Sequence, residues 1–194
     1  MSGTKQLEQL LPGNNLFAKS GITVLSALAG VGKTTYLVKQ IVPQLKKNGY
    51  EVVYFNADYS PTYDEEMFEP ISSAKLIELT KEADEKDVII IDSIKAYTAQ
   101  EGLDVMLNPD MYRFMLGIRS ISISTKCTFI LVHHSFKEKK LKTPEEHFYG
   151  SRAIEEQCDS GFIFQGKTAT IIKNRLGLPR GHIEQIQENM SIID

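Results

Sequence analysis

The 194-residue chain lacks any apolar run long enough to cross a bilayer. Runs such as Val88–Ile91 and Phe129–Val132 are four residues long, whereas a membrane-spanning helix needs about 20. Cysteine is scarce: Cys127 and Cys158 stand apart and match no metal spacing, so they read as buried, reduced thiols and exclude a disulfide framework. Basic excess is missing as well. Twenty-two Lys+Arg against 25 Asp+Glu give a net charge of −3, which argues against a surface coated by nucleic acid and leaves room for one local basic loop. Repeats, low-complexity stretches and linkers are absent, so one domain is the economical reading. The first residues, MSGTKQLEQLLPGNN, carry no charged-then-apolar leader, which points to the cytoplasm and no membrane. What remains, 42% hydrophobic and 24% charged, is the make-up of an ordinary globular domain with enough length for one core.

Apolar patterning organises the chain. Ile22–Leu25 reads as a first buried strand. Leu37, Val38, Ile41, Val42 and Leu45 then form one helical face within Lys33–Lys47, where Pro43 should kink or shorten the helix and Asn48-Gly49 should stop it. Strands are expected at Glu51–Asn56, Val88–Ile91 and Thr128–Val132, with a weaker helix at Ser73–Asp84. The cleanest helix starts at Asn108 as N-cap with Pro109 in its first turn, and Met111, Phe114, Met115, Ile118 and Ile121 line one face. Residues 135–149 are polar and read as a loop. Short strands at Gly161–Phe164 and Thr168–Ile172, a turn at Gly177–Gly181 and a last strand close the pattern. Alternating apolar strands and helices predict an α/β fold with a mostly parallel sheet covered on both faces, plus antiparallel strands at its C-terminal edge.

Between the first strand and the first helix stands Ala27-Leu-Ala29-Gly30-Val31-Gly32-Lys33-Thr34-Thr35. This is a Walker A phosphate loop with alanine in the place of its first glycine. Gly30 and Gly32 allow successive N–H groups to turn inward around an anion, and the helix N-terminus adds positive potential. Lys33 is placed for the β- and γ-phosphates, and the Thr34 hydroxyl for Mg²⁺. Residues Ala29 to Thr35 are therefore the expected ATP-binding set. Val88-Ile-Ile-Ile-Asp92 is the matching Walker B strand, its terminal carboxylate meeting the Mg²⁺ shell through water. Hydrolysis also needs a carboxylate to orient the attacking water. Asp58, just past the second strand, is the candidate, with Glu65 and Glu66 as fallbacks. A polar sensor of the γ-phosphate belongs at the end of the 128–132 strand, where His133 and His134 stand; His133 is the choice, and one of the pair is expected to be merely packed or solvent-facing.

From position 133 onward the chain resembles a family. His133-His134-Ser135, a lysine-rich loop, Gly150-Ser-Arg-Ala-Ile-Glu-Glu-Gln-Cys-Asp159 before a strand, and Lys173-Asn-Arg175 followed by Gly-Leu-Pro-Arg-Gly resemble the RecA-like hexameric helicases of the DnaB and plasmid RepA types. The resemblance implies a RecA-like three-layer αβα P-loop fold over residues 21–194, preceded by a short segment 1–20 whose KQLEQLL is a candidate helix. It implies ATP and Mg²⁺, assembly into a hexameric ring or filament, and Lys173 and Arg175 reaching the γ-phosphate of a neighbouring subunit. A permanently charged, planar guanidinium suits that task. Three departures stand out: Asp58 where the family has glutamate, His133 where the DnaB type has glutamine, and little length before the core for the DnaB N-terminal domain.

In the same resemblance the 135–149 loop is the one that grips single-stranded DNA, through Lys137, Lys139, Lys140 and Lys142, with Phe136 and Phe148 as stacking or anchoring rings. Lysines neutralise phosphates without reading sequence, although Glu138, Glu145 and Glu146 share the loop. The leading expectation is an ATP-hydrolysing, oligomeric motor on single-stranded DNA, helicase- or translocase-like, in replication or recombination, with a partner protein from either process. A compact recombinase or annealing ATPase also fits the residues. So does an ATP-switched interaction protein of the KaiC kind or a helicase accessory factor, with little DNA-driven turnover.

Overall fold

The computed structural model describes residues 7–58, 73–134, 148 and 150–186. The chain enters as a hairpin, β1 (Gln9–Leu11) and β2 (Asn14–Ala18), paired antiparallel. This corrects the helix expected over KQLEQLL for its last three residues. Pro12 and Gly13 sit in the turn, and Gly13 takes φ +73, a conformation that ends a helix and closes a hairpin. Leu10, Leu11, Leu16 and Phe17 are buried, with the Phe17 ring edge-on to Phe162 at 5.6 Å. The hairpin therefore shares the core of residues 21–186 rather than standing apart from it.

Five strands run parallel: β3 (Ile22–Ala27), β4 (Glu51–Asn56), β5 (Asp87–Asp92), β6 (Thr128–His134) and β7 (Ser160–Phe164). Two more, β8 (Thr168–Asn174) and β9 (Ile183–Gln185), add antiparallel at one edge. The seven-stranded order is β4-β5-β6-β3-β7-β8-β9. The expected sheet and its antiparallel C-terminal edge are both present. Strands β3, β5 and β6 are buried on both faces almost throughout, which is why they read as continuous apolar runs rather than alternating ones.

The two faces carry separate apolar layers. One packs the hairpin and the first helical segment: Tyr36, Leu37, Ile41 and Leu45 lie against Leu25, Tyr54, Ile90 and Val132. That segment comprises α1 (Lys33–Tyr36), a π-helical turn (Leu37–Ile41) and α2 (Val42–Lys47). The π turn, where Val42 N–H donates to Leu37 C=O, absorbs Pro43: the helix widens just before the residue that lacks an N–H and then continues. The other face packs α3 (Ser73–Glu82), α4 (Ile94–Gln100), α5 (Asn108–Thr125) and α6 (Arg152–Gln157), through Leu76, Tyr97, Met111, Phe114, Met115, Ile118 and Ile154. Helix–sheet–helix layering follows. Helices α4 and α6 were not foreseen; each is N-capped by a serine, Ser93 on Ala96 N–H and Ser151 on Ala153 N–H. For α5 the cap is Leu107 and Asn108 is the first helical residue, so the Asn108 side chain is left to accept from Ser151 Oγ.

Candidate nucleotide site

The parallel strands all end at one edge of the sheet, and the chain places a candidate functional group at or just past the end of four of them. In open α/β sheets ligands bind at this carboxyl edge. After β3 comes the loop Leu28–Gly32, with Gly30 at φ +81 and Gly32 at φ +93, both in the left-handed region that only glycine enters freely. Gly32 precedes α1, and its C=O accepts Tyr36 N–H at 2.8 Å. Ala29 and Gly30 are exposed, Val31 packs on the hairpin-side apolar layer, and Thr35 faces out.

Lys33 is 7% exposed, and its ammonium donates to Ala27 C=O at 3.2 Å and Leu28 C=O at 3.1 Å. Burial holds its pKa below the ordinary lysine value, opposed by the charges of Asp92 and Asp58. Thr34 Oγ1 donates to Asp92 Oδ2 at 2.6 Å, and Tyr54 Oη donates to the same oxygen at 2.8 Å. Asp92 is 4% exposed. Desolvation pushes its carboxyl above the usual range, and the Thr34 and Tyr54 hydroxyls oppose that push. The glycine-rich loop after β3 and the end of β5 thus meet through Thr34 and Asp92. Asp58 is exposed beyond β4, and its Oδ1 accepts from Ser93 Oγ at 3.2 Å. The backbone amides of Ala57 and Asp58 both donate to Asp92 C=O, which ties the Asp58 turn to the end of β5.

The histidines divide by strand alternation. His133 is fully buried on the α4–α6 face, next to Ser26 in register and edge-on to Phe148 at 6.3 Å between centroids. His134 points to the α1 face. It is half-buried, and its pKa is lowered by burial and then by Lys33, with Asp58 and Asp92 acting the other way. The structure therefore brings His134, not the expected His133, to the phosphate loop, because neighbours on a strand face opposite sides. Of the aromatic anchors, Phe148 is buried and fills the space beside Gly161, where any Cβ would meet its ring. Lys137, Lys139, Lys140 and Lys142 lie outside the described residues.

Lys173 and Arg175 stand at the opposite edge. Asn174 pairs with Ser160, which pairs with Thr23 at the start of β3, roughly 17 Å of strand from the phosphate loop. Lys173 Nζ donates to the Glu155 and Glu156 carbonyls at 2.9 and 2.6 Å, satisfying orphan acceptors at the end of α6. Burial holds its pKa below the usual lysine value. Arg175 donates to Asp159 Oδ1 at 2.8 Å while its side chain stays 55% exposed. Asp159, with a side chain 2% exposed, also accepts from Arg119 and from Ile22 N–H. Neither cation reaches the phosphate loop of its own chain.

The donor set of the phosphate edge fits Mg²⁺: a threonine hydroxyl and a carboxylate, hard oxygens 2.6 Å apart, beside a loop that Gly30 and Gly32 carry through the left-handed region. Among the described residues no helix is long and apolar enough to cross a membrane.

Comparison with known proteins bears on the fold. A family model described as an AAA domain matches residues 46–140, a span that holds Asp58, Asp92 and the histidine pair. The solved structure titled "Crystal structure of the RadB recombinase" superposes with a TM-score of 0.60 at 15% identity, covering 86% of each chain. No curated protein matches the sequence. The chain therefore has the RecA-like P-loop fold: a phosphate loop after a central parallel strand, flanked by helices on both faces and closed by antiparallel strands at one edge.

Proposed function

We propose that the protein is an oligomeric RecA-like ATPase acting on single-stranded DNA, on the recombination rather than the helicase side of that fold's repertoire. The observation that carries the reading is the Thr34–Asp92 contact at 2.6 Å beneath a glycine-opened phosphate loop. The likeness to a recombinase supports the choice of process. Backbone amides of Ala29–Thr35 cradle the triphosphate, and Lys33 leaves its two carbonyl acceptors to meet the β- and γ-phosphates. Thr34 and, through water, Asp92 hold Mg²⁺, which when bound neutralises charge on the phosphate oxygens. Asp58 orients the attacking water; its side chain is one methylene shorter than a glutamate. His134 faces the γ-phosphate, while His133, packed on Phe148, ties β6 to the far end of the lysine-bearing loop. Lys173 and Arg175 complete the site of a neighbouring copy, since their place at the opposite edge rules out the same chain's.

The test is steady-state ATP turnover with and without single-stranded DNA at two protein concentrations. The proposal expects stimulation by DNA that grows with concentration. A slow rate indifferent to DNA would favour the ATP-switched interaction protein, for which the exposed, short Asp58 is the supporting observation. Replacing Lys139 and Lys140 by alanine weakens single-strand binding and flattens its salt dependence if the loop carries the DNA contacts.

A further inference from the structure

The proposed chemistry uses Thr34 and Asp92 and leaves Tyr54 without a role. Yet Tyr54 Oη donates to Asp92 Oδ2 at 2.8 Å, the oxygen that also accepts from Thr34. Strand geometry explains the reach. Tyr54 stands opposite Ile90 on the parallel β4–β5 pair, and Asp92 lies two residues further on the same face, a diagonal step that an aromatic side chain spans. The ring sits in the apolar layer with Val88, Ile90 and Leu45, and Tyr54 is 2% exposed. A phenylalanine would fill that layer equally well. A buried phenol carries a desolvation cost unless its hydroxyl is bonded, so packing alone gives no reason for the oxygen.

We infer that Tyr54 is a positioning residue for the metal-holding carboxylate: with Thr34 it fixes the plane of Asp92 and thereby sets the affinity for Mg²⁺. Two donors on one oxygen, one from the phosphate helix and one from the neighbouring strand, leave the carboxylate a single orientation. Groups of this kind, bonded to a ligand rather than to the metal, typically change metal affinity 10- to 100-fold when removed. The charged neighbours Lys33 and Asp58 act on Asp92 through space and are untouched by the substitution that isolates Tyr54.

The inference rests on the proposed nucleotide site. Its test is binding of ADP carrying a fluorescent methylanthraniloyl label, with Mg²⁺ titrated into protein and nucleotide. Tyr54→Phe should raise the Mg²⁺ midpoint about 10-fold or more and leave binding in EDTA unchanged, since phosphate capture belongs to the loop and Lys33. Tyr54→Met, which also lacks the hydroxyl, gives the same reading should the phenylalanine variant fail to fold. Equal midpoints in a protein whose binding depends on Mg²⁺ overturn this inference alone, and so does a lowered melting temperature with an unmoved midpoint, the mark of a merely structural hydroxyl. Wild-type binding that ignores Mg²⁺ overturns the metal reading and this inference with it.

Discussion

The two edges of the sheet treat buried charge in opposite ways. At the phosphate edge Lys33 and Asp92 are nearly sealed from solvent, and among the described residues neither has an ion pair within 4 Å; the lysine leans on two carbonyls and the carboxylate on two hydroxyls. At the far edge Asp159 is saturated. It meets two guanidiniums and a backbone N–H, and Lys173 closes the end of α6. Burying a charge without a counter-charge is costly, so the proposed nucleotide site holds its ions in a state that a ligand would improve, whereas the buried Asp159 is satisfied within the chain and only the cations on its side, led by the half-exposed Arg175, would exchange partners to serve a neighbouring copy. The difference lies in the partners rather than in residue type, since both edges carry aspartate and lysine.

Substitutions can break or sharpen that contrast. The largest expected effect is that of Arg175→Ala. If Arg175 serves a neighbouring site, turnover falls by about 10³-fold while nucleotide binding persists, although the lost contact with Asp159 costs under about 1 kcal/mol for so exposed a side chain. Unchanged turnover would leave Arg175 on the scaffolding side. Next is a pair of identical chemistry. Asp159→Asn strands Arg119 and Arg175 and should lower stability by about 3 kcal/mol in denaturant unfolding, without touching the phosphate edge. Asp92→Asn should do the reverse, keeping an oxygen for Thr34 and Tyr54 while relieving a buried charge. A gain of about 1 kcal/mol in stability with loss of Mg²⁺-dependent nucleotide binding is the expected outcome.

The pH dependence of Asp92 has a definite sign. Desolvation holds its folded pKa above the ordinary carboxyl value, so the folded state binds more protons. The stability withheld at neutral pH is regained as pH falls through the raised pKa toward that ordinary value. Asp92→Asn should erase that part of the profile. An Asp92→Asn profile that still regains stability as pH falls toward the ordinary carboxyl range would collapse the contrast.

Much of the phosphate edge was legible in sequence because it is built locally. Gly30, Gly32, Lys33 and Thr34 are contiguous, and Asp92 ends a strand whose four apolar residues announce a doubly buried position. Other features are set by pairing across the sheet. Tyr54 reads as an ordinary strand aromatic until β4 lies beside β5. The choice between His133 and His134 depends on which face of β6 meets α1, and two adjacent histidines give no signal of it. Helices α4 and α6 span six or seven residues, too few for a period of 3.6 to register, and only Ser93 and Ser151 marked their starts. KQLEQLL has helical spacing, but the turn at Pro12-Gly13 and the cover that Leu10 and Leu11 give Phe162 and its neighbours make Gln9–Leu11 the first strand of a hairpin. Lys173 and Arg175 could be singled out only by resemblance, and the partners they hold within the chain, Asp159 and the end of α6, are far from them in the usual helical or strand spacing.

The account depends most on the phosphate edge being completed by a ligand. The direct measurement is thermal unfolding of wild type and Lys33→Ala with ATP, in Mg²⁺ and in EDTA. Wild type should gain several degrees with MgATP, less with ATP in EDTA, and Lys33→Ala should gain nothing in either. Equal gains in wild type and Lys33→Ala would contradict the account and move the nucleotide, if one binds, away from the edge where Lys33, Thr34 and Asp92 converge.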